Sequence, residues 1–344
     1  MSFTELIDLA SERLGGTALA ANDEFFAPKE NLLKESKPIF IEDKYTDRGK
    51  WMDGWETRRR RTPGFAWCII KLGLPGVIRG VLVDTSHFKG NYPEQCSIEV
   101  CSADRSAGAE QLDDPSTQWI EVLPKTPLKG DFQNFLKVES SRRSTHIRFK
   151  IFPDGGVARL RVYGEVVPDR PVLDMAGEMD LASVENGGLV IASSDMFFGS
   201  RQNLIMPGRA AGMRDGWETR RRRGPGHDWV IIRLGSRGTI RRVEVDTGHF
   251  KGNFPESCSL EGCNSGSLLT GASFAAGQAG IAARLVWREV LPHTSLEADT
   301  QHFFQSEIKE VGPVAYVRFN IFPDGGVSRL RIMGSAGRAG GPPG

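Results

Sequence analysis

The stretch Asp-Gly-Trp-Glu-Thr-Arg-Arg-Arg-Arg at residues 53–61 recurs without change at residues 215–223. Nine identical residues at an offset of 162 positions indicate an internal duplication, because chance does not preserve a mixed apolar, acidic and basic pattern of this length. The chain of 344 residues is also long enough for two domains that each bury a core. The sequence therefore predicts two copies of one domain.

Two further segments occur twice, in the same order along the chain. Residues 84–94 read Asp-Thr-Ser-His-Phe-Lys-Gly-Asn-Tyr-Pro-Glu, and residues 246–256 differ from them at two positions. Ile-Phe-Pro-Asp-Gly-Gly-Val occurs at residues 151–157 and again at 321–327. Upstream, Asn31 corresponds to Asn203. The predicted organisation is an N-terminal extension at 1–15, a first repeat at 16–164, a linker at 165–187, a second repeat at 188–334 and a flexible tail at 335–344.

Both repeats have the pattern of short β-strands. Apolar or alternating runs such as residues 67–72, 79–84 and 147–152 are bounded by Gly and Pro, which is typical of a β-sandwich or jelly roll. We therefore predict an all-β protein with one jelly roll per repeat. The turn at residues 153–156 is expected to form a hairpin between the last two strands.

Comparison of the repeats assigns the faces of these strands. Val81 and Val83 are kept as Val243 and Val245, whereas Leu82 becomes Glu244, so Val81 and Val83 are predicted to face the core. By the same alternation Ile147, Phe149 and Ile151 are core residues. Asp84, Arg159 and Arg161 are expected on the outer surface.

Composition excludes several functional classes. Forty-four basic and 43 acidic residues leave a net charge of +1, so we expect no nucleic-acid partner and no anionic membrane surface as a partner. No run of 18 apolar residues is present, which argues against a transmembrane span. Five cysteines without Cys-x-x-Cys spacing favour reduced thiols and a cytoplasmic location. We also expect a homo-oligomer.

The segments 84–94 and 246–256 are the best candidates for a site, because each combines acids, an imidazole, an ammonium and an amide where a strand becomes a loop. His87 and His249 are the only histidines at equivalent positions of both repeats. Each could transfer protons or could be a hydrogen-bonded packing residue. No His-x-His or His-x-x-x-His pattern occurs, so we expect no dedicated metal site and no cofactor.

The arginine run at 58–61 allows three interpretations. It could bind nucleic acid, but the chain is neutral overall. It could form ion pairs with neighbouring strands, or its planar guanidinium groups could bind a small carboxylate or ureide.

Together the three duplicated motifs resemble the allantoicase family, also called allantoate amidinohydrolases, and the resemblance covers nearly the whole chain. It implies a tandem of galactose-binding-like jelly rolls that hydrolyses allantoate to ureidoglycolate and urea. The alternative is a non-catalytic protein that binds a carbohydrate or another small ligand through the same fold. The ionisable groups of the duplicated loops favour the enzyme.

The chemistry of allantoate then suggests roles for the residues of the motifs. The substrate has one carboxylate and two ureido groups on a single carbon, so the site must hold an anion, donate to carbonyls and protonate a leaving nitrogen. We expect Arg58 and Arg220 to bind the carboxylate, and Lys89, Lys251, Asn91 and Asn253 to bind the ureide carbonyls. The expected residues for proton transfer are His87 and His249, with Glu94 and Glu256 or Asp84 and Asp246. Whether each repeat has its own site or both form one stays open.

Overall fold

The computed structural model describes residues 2–169, 177–264 and 286–337. The chain divides into two compact units, Ser2–Val167 and a second that begins at Pro168. The first unit takes in residues 2–15, which the sequence-based boundaries placed in an extension. Parts of the predicted linker (170–176) and tail (338–344) lie outside the described residues.

The first unit is built from strands and short helices. Its strands are β1 (Ile7–Asp8), β2 (Thr17–Ala21), β3 (Tyr45–Thr46), β4 (Gly49–Lys50), β5 (Trp55–Glu56), β6 (Ala66–Asp84), β7 (Gln95–Cys101), β8 (Ile120–Pro127), β9 (Gln133–Lys137), β10 (Arg143–Phe152), β11 (Gly156–Val157) and β12 (Arg159–Val166). The α-helix is α1 (Ala109–Asp113), and 3₁₀ helices span Phe3–Glu5, Glu12–Leu14 and Lys29–Leu33.

The second unit repeats this plan. Its strands are β13 (Met179–Asp180), β14 (Leu189–Ser193), β15 (Trp217–Glu218), β16 (Asp228–Asp246), β17 (Ser257–Cys263), β18 (Arg288–Ser295), β19 (Gln301–Phe304), β20 (Val314–Phe322), β21 (Gly326–Val327) and β22 (Arg329–Ala336). Its 3₁₀ helices span Val184–Asn186, Arg201–Ile205 and Met213–Asp215. The predicted all-β duplication is confirmed.

One long strand organises each unit. The order in the first sheet is β1-β12-β6-β10-β7-β8, with β2 and β9 also paired to β6. The first part of β6, Ala66–Lys71, pairs with β2 and β10, and its last part, Gly80–Asp84, pairs with β9 and β12. The same strand therefore contributes to two groups of strands, as a jelly roll requires. The second sheet has the corresponding order, β13-β22-β16-β20-β17-β18, with β14 and β19 on β16.

The sequence predicted two separate strands where β6 is continuous. Gly and Pro between residues 72 and 79 predict a break, but the backbone stays extended through them. Gly73 is needed there because a Cβ atom at this position would lie 2.5 Å from the carbonyl oxygen of Leu14. The glycine marks a close approach of two backbone segments rather than the end of a strand.

The predicted hairpin at 153–156 is wrong. β10 and β12 are not neighbours, because β6 lies between them in the sheet and each pairs with one of its edges. The turn leads instead into β11, which pairs with β5. Turn chemistry identified the reversal of the chain but could not identify the partner strands.

The predicted core face is confirmed, whereas the predicted outer face is partly wrong. Val81, Val83, Ile147, Phe149 and Ile151 have no exposed surface. Asp84 and Arg159, expected outside, are only 3% and 2% exposed. Arg159 is covered by an N-terminal segment, since its Nε donates to the carbonyl of Ser36 at 2.9 Å and its Nη2 contacts Asp53 Oδ2 at 2.7 Å. Alternation assigns a face but does not show what packs against it.

Among the described residues, no helix has the length and apolar character needed to cross a membrane.

Candidate active site

The first and third duplicated motifs meet in the fold. β5 of the first motif pairs with β11 of the third, and the Gly155 N–H donates to Thr57 Oγ1 at 3.1 Å. The backbone N–H of Arg60 donates to Asp154 Oδ2 at 2.7 Å. These contacts join residues almost a hundred positions apart, which explains why both motifs are kept together in each repeat.

The second motif joins the same place through Asn91. The N–H of Gly156 donates to the carbonyl of Asn91 at 2.7 Å, and the side-chain amide of Asn91 donates to Glu56 Oε1 at 2.6 Å. All three motifs of the first repeat therefore converge.

An open cavity of about 510 Å³ lies where the motifs converge. Its walls combine apolar and ionisable side chains, with two ammonium groups and one carboxylate. The lining residues are Phe26, Phe40, Lys50, Met52, Glu56, His87, Lys89, Gly90 and Asn91. This combination suits a small polar anion.

Glu56 is the carboxylate of the cavity. Burial raises the pKa of Glu56 above its ordinary value, and the hydrogen bond from Asn91 opposes this shift without cancelling it. A carboxylate with a raised pKa is a better proton acceptor, as a general base requires.

His87 has an unusual backbone conformation that neighbouring groups hold in place. Its φ angle is +72°, a left-handed value that is rare outside glycine, and its N–H donates to Asp131 Oδ1 at 2.8 Å. Asp131 is itself left-handed, at φ +49°, and its N–H donates to the carbonyl of Phe88 at 3.1 Å. Non-glycine residues in this region require support from their surroundings, and the two residues support each other.

The ring of His87 is oriented by two further contacts. Its Nε2 lies 3.3 Å from the carbonyl oxygen of Pro38, and the ring of Phe40 stacks on it with centroids 5.7 Å apart. A carbonyl oxygen only accepts hydrogen bonds, so Nε2 carries a proton. In the neutral imidazole Nδ1 is then the nitrogen that can accept one.

The second repeat reproduces these contacts. Asn253 donates to Glu218 Oε1 at 2.6 Å, and His249 Nε2 lies 2.9 Å from the carbonyl oxygen of Ala210. His249 has φ +71°, and its N–H donates to Asp299 Oδ1 at 2.6 Å. The arrangement thus belongs to the duplicated unit itself.

Three of the six residues predicted for the first repeat line the cavity, namely His87, Lys89 and Asn91. The other three lie elsewhere. Arg58 forms an ion pair with Asp23 at 2.8 Å, and Asp84 is buried, where its Oδ1 accepts the N–H of Ser86 at 2.9 Å. Glu94 is exposed and does not line the cavity.

The corresponding residues of the second repeat are placed similarly. Arg220 pairs with Asp195 at 2.9 Å, and the buried Asp246 pairs with Arg209 at 3.0 Å. Glu256 is exposed. Lys251 is also exposed, 3.8 Å from a carboxylate oxygen of Asp299.

Two pairs of residues at the candidate site were not predicted, although their identity in both repeats is visible in the sequence. Glu56 and Glu218 are identical in the two copies of the first motif, beside the arginine run, but are not among the predicted site residues. Asp131 and Asp299 are identical at an offset of 168, between the second and third motifs. A full alignment of the two repeats would have identified both pairs.

In the part of the chain that the structure describes, no group of three or more His, Cys, Asp or Glu side chains is arranged to hold a metal ion.

The fold and the cavity together define a class of protein, a duplicated jelly roll with a polar site at the convergence of three repeated motifs. An allantoicase repeat model matches residues 7–167 and again residues 179–337. The chain therefore belongs to the allantoicase family.

Individual relatives agree with this assignment. The chain is 48% identical over 339 residues to a probable allantoicase 1 of Burkholderia mallei, covering 96% of this chain and 94% of the relative. It is 46% identical to the allantoicase of Dictyostelium discoideum, covering 96% of this chain and 87% of that one. The crystal structure of allantoicase from Saccharomyces cerevisiae is 36% identical, with a TM-score of 0.76 over 96% of this chain and 93% of that chain.

Proposed function

We propose that this protein hydrolyses allantoate to ureidoglycolate and urea. The observation that carries the proposal is the cavity of the first repeat, where Glu56, His87, Lys89 and Asn91 of the duplicated motifs meet. The names of the relatives that match nearly the whole chain support it. Catalysis, unlike binding alone, requires a proton acceptor and a proton donor, and Glu56 and His87 in one cavity supply these two groups.

The proposed reaction uses one water molecule. Glu56 accepts a proton from this water, whose oxygen bonds to the carbon that carries the carboxylate and the two ureido groups. The bond from that carbon to one ureido nitrogen breaks, and the protonated imidazole of His87 donates a proton from Nδ1 to the departing nitrogen. The products are urea and ureidoglycolate, and the proton held by Glu56 returns to His87 or to solvent.

The remaining residues of the cavity hold these groups and the substrate. Asn91 orients Glu56 through its 2.6 Å hydrogen bond, and Lys89 donates to a ureide carbonyl. Asp131 keeps His87 in its left-handed conformation and so acts as a positioning residue. Glu218, His249, Lys251, Asn253 and Asp299 have the same roles in the second repeat.

An assay of urea release tests the function directly. We expect one urea and one ureidoglycolate per allantoate, and no opening of the ring of allantoin, which is a different hydrolysis. Unchanged allantoate at neutral pH, together with sugars that raise the melting temperature, would favour the binding protein instead.

We also propose that the protein acts in the cytoplasm as a homo-oligomer, without nucleic-acid or membrane partners. All five cysteines are buried free thiols, which suits a reducing compartment. Exposed aromatic side chains such as Phe197 and Phe303 suit an interface between copies. Light scattering on the purified protein measures the oligomeric state. A monomer at micromolar concentration would contradict the proposed homo-oligomer.

A further inference from the structure

The first repeat has an insertion beside its cavity. Asn31 and Asn203 occupy equivalent places, since their side-chain amides donate to the carbonyls of Gly54 at 2.9 Å and Gly216 at 3.0 Å. Yet 22 positions separate Asn31 from Asp53, whereas 12 separate Asn203 from Asp215. The additional residues of the first repeat contain the hairpin β3–β4.

This insertion supplies part of the cavity wall. Phe40 stacks on the ring of His87, and Lys50, the last residue of the hairpin, lines the cavity. The ammonium of Lys50 lies 5.1 Å from the ring centroid of Phe40 and 4.9 Å from that of Tyr45, and it donates to the carbonyl of Glu42. Aromatic rings and a carbonyl hold this cation in place without neutralising it.

A cation in the corresponding segment of the second repeat, Arg209, is neutralised. Arg209 is adjacent in sequence to Ala210, whose carbonyl contacts His249. The guanidinium of Arg209 forms ion pairs with both Asp246 and Glu244. The contacts of the Lys50 ammonium among the described residues are, by contrast, the carbonyl of Glu42 and the rings of Phe40 and Tyr45, and none of them is a carboxylate. Of these two cations, only Lys50 keeps its charge available for an anion.

We propose that Lys50 binds the carboxylate of the substrate, so that the insertion makes the first repeat's site selective for an anionic ureide. This assignment rests on the proposed function. The carboxylate is the only charge of allantoate, and an ammonium in a cavity walled by Phe26, Phe40 and Met52 forms a stronger ion pair than one in open water. Lys50 therefore takes the role that the sequence predicted for Arg58, which is to bind the carboxylate of the substrate.

Steady-state kinetics on the full chain test this role. Lys50→Gln should raise KM for allantoate by about 30-fold, because a charge-assisted contact to the substrate is lost, and change kcat less than about threefold. Lys50→Arg keeps the charge and should restore KM to within about fivefold. Lys44→Gln removes the same charge from the same insertion, where Lys44 stacks on Trp51, and should leave KM unchanged.

A neutral substrate separates charge recognition from a structural effect. The wild type should prefer allantoate to its carboxamide analogue, and Lys50→Gln should lose that preference. An unchanged KM in Lys50→Gln, or an equal loss with both substrates, would overturn the proposal. A wild type that releases no urea from allantoate would instead overturn the proposed function before any variant is compared.

Labelling of the wild type covers the case in which Lys50→Gln does not fold. An amine-reactive reagent followed by mass spectrometry reports the reactivity of each lysine. Excess ureidoglycolate, which keeps the carboxylate, should protect Lys50 and leave Lys44 reactive. Labelling of Lys50 that is unaffected by saturating ureidoglycolate would contradict the proposal.

Discussion

Individual side chains in the two repeats keep the same hydrogen bonds even where the residue type changes. Asn134 of the first repeat donates to the carbonyl of Val83 at 3.2 Å and accepts the N–H of Lys129 at 2.9 Å. His302 takes its place in the second repeat, with Nδ1 3.1 Å from the carbonyl of Val245 and Nε2 accepting the N–H of Glu297 at 2.8 Å. This histidine is structural, which explains why a residue type alone does not identify a site.

At the same scale, Glu56→Gln tests the general base. We expect kcat to fall by about two to four powers of ten, with little change in melting temperature because glutamine can still accept the hydrogen bond of Asn91. In the wild type, activity should fall on the acid side at a pH above the ordinary range of Glu, since burial raises the pKa of this base. The residual activity of Glu56→Gln should no longer show this fall at acid pH.

Glu94→Gln is the comparison for this experiment. This variant removes a carboxylate that the sequence predicted to transfer protons. The carboxylate of Glu94 is exposed and lies outside the cavity. A larger loss of kcat in Glu94→Gln than in Glu56→Gln would return the role to Glu94.

The elements are held together around the site by a buried ion pair in each repeat. Arg159 on β12 contacts Asp53, which stands just before β5, and Arg329 on β22 contacts Asp215 at 2.8 Å in the same way. Burial alone would raise the pKa of Asp53, but the hydrogen bonds from Arg159 and from the backbone N–H of Ile39, together with the charges of Arg159 and Lys34, outweigh burial, and the pKa lies below its usual value. The pair fixes the first motif against the last strand.

Arg159→Met should therefore destabilise the first repeat. Removing Arg159 leaves the carboxylate of Asp53, which is 7% exposed, with Lys34 at 3.5 Å as its remaining cation, and we expect a cost of about 3 kcal/mol. Calorimetry should show a lower melting transition. Lys137→Met, which removes the exposed ion pair with Glu139 at 2.6 Å, is the control with a smaller effect. Equal melting temperatures for Arg159→Met and the wild type would contradict this account.

Across the whole molecule, the duplication has produced two similar but unequal candidate sites. Both repeats keep the glutamate, asparagine, histidine and supporting aspartate, but the additional residues between Asn31 and Asp53 occur in the first. Sequence identity of the motifs therefore overstates the equivalence of the sites.

Single replacements of the two histidines measure this inequality. We expect His87→Asn to lower kcat/KM for allantoate at least about tenfold more than His249→Asn, because the first repeat has the available ammonium. Two equal, independent sites would leave about half of the activity in each single variant. That result, with both melting temperatures unchanged, would contradict the inequality.

The sequence by itself determined the duplication, the all-β class, the core-facing positions Val81 and Val83, and the three motifs that converge at the candidate site. These follow from local identity and from alternation, which a chain carries without reference to its fold. Only the tertiary structure decided that β6 is continuous, that Arg159 is buried, and that Glu56 rather than Glu94 lines the cavity with His87. The physical reason is that these properties depend on which distant segment covers a residue. In a jelly roll, partners such as Thr57 and Gly155 are far apart along the chain, so the topology of the strands selects them.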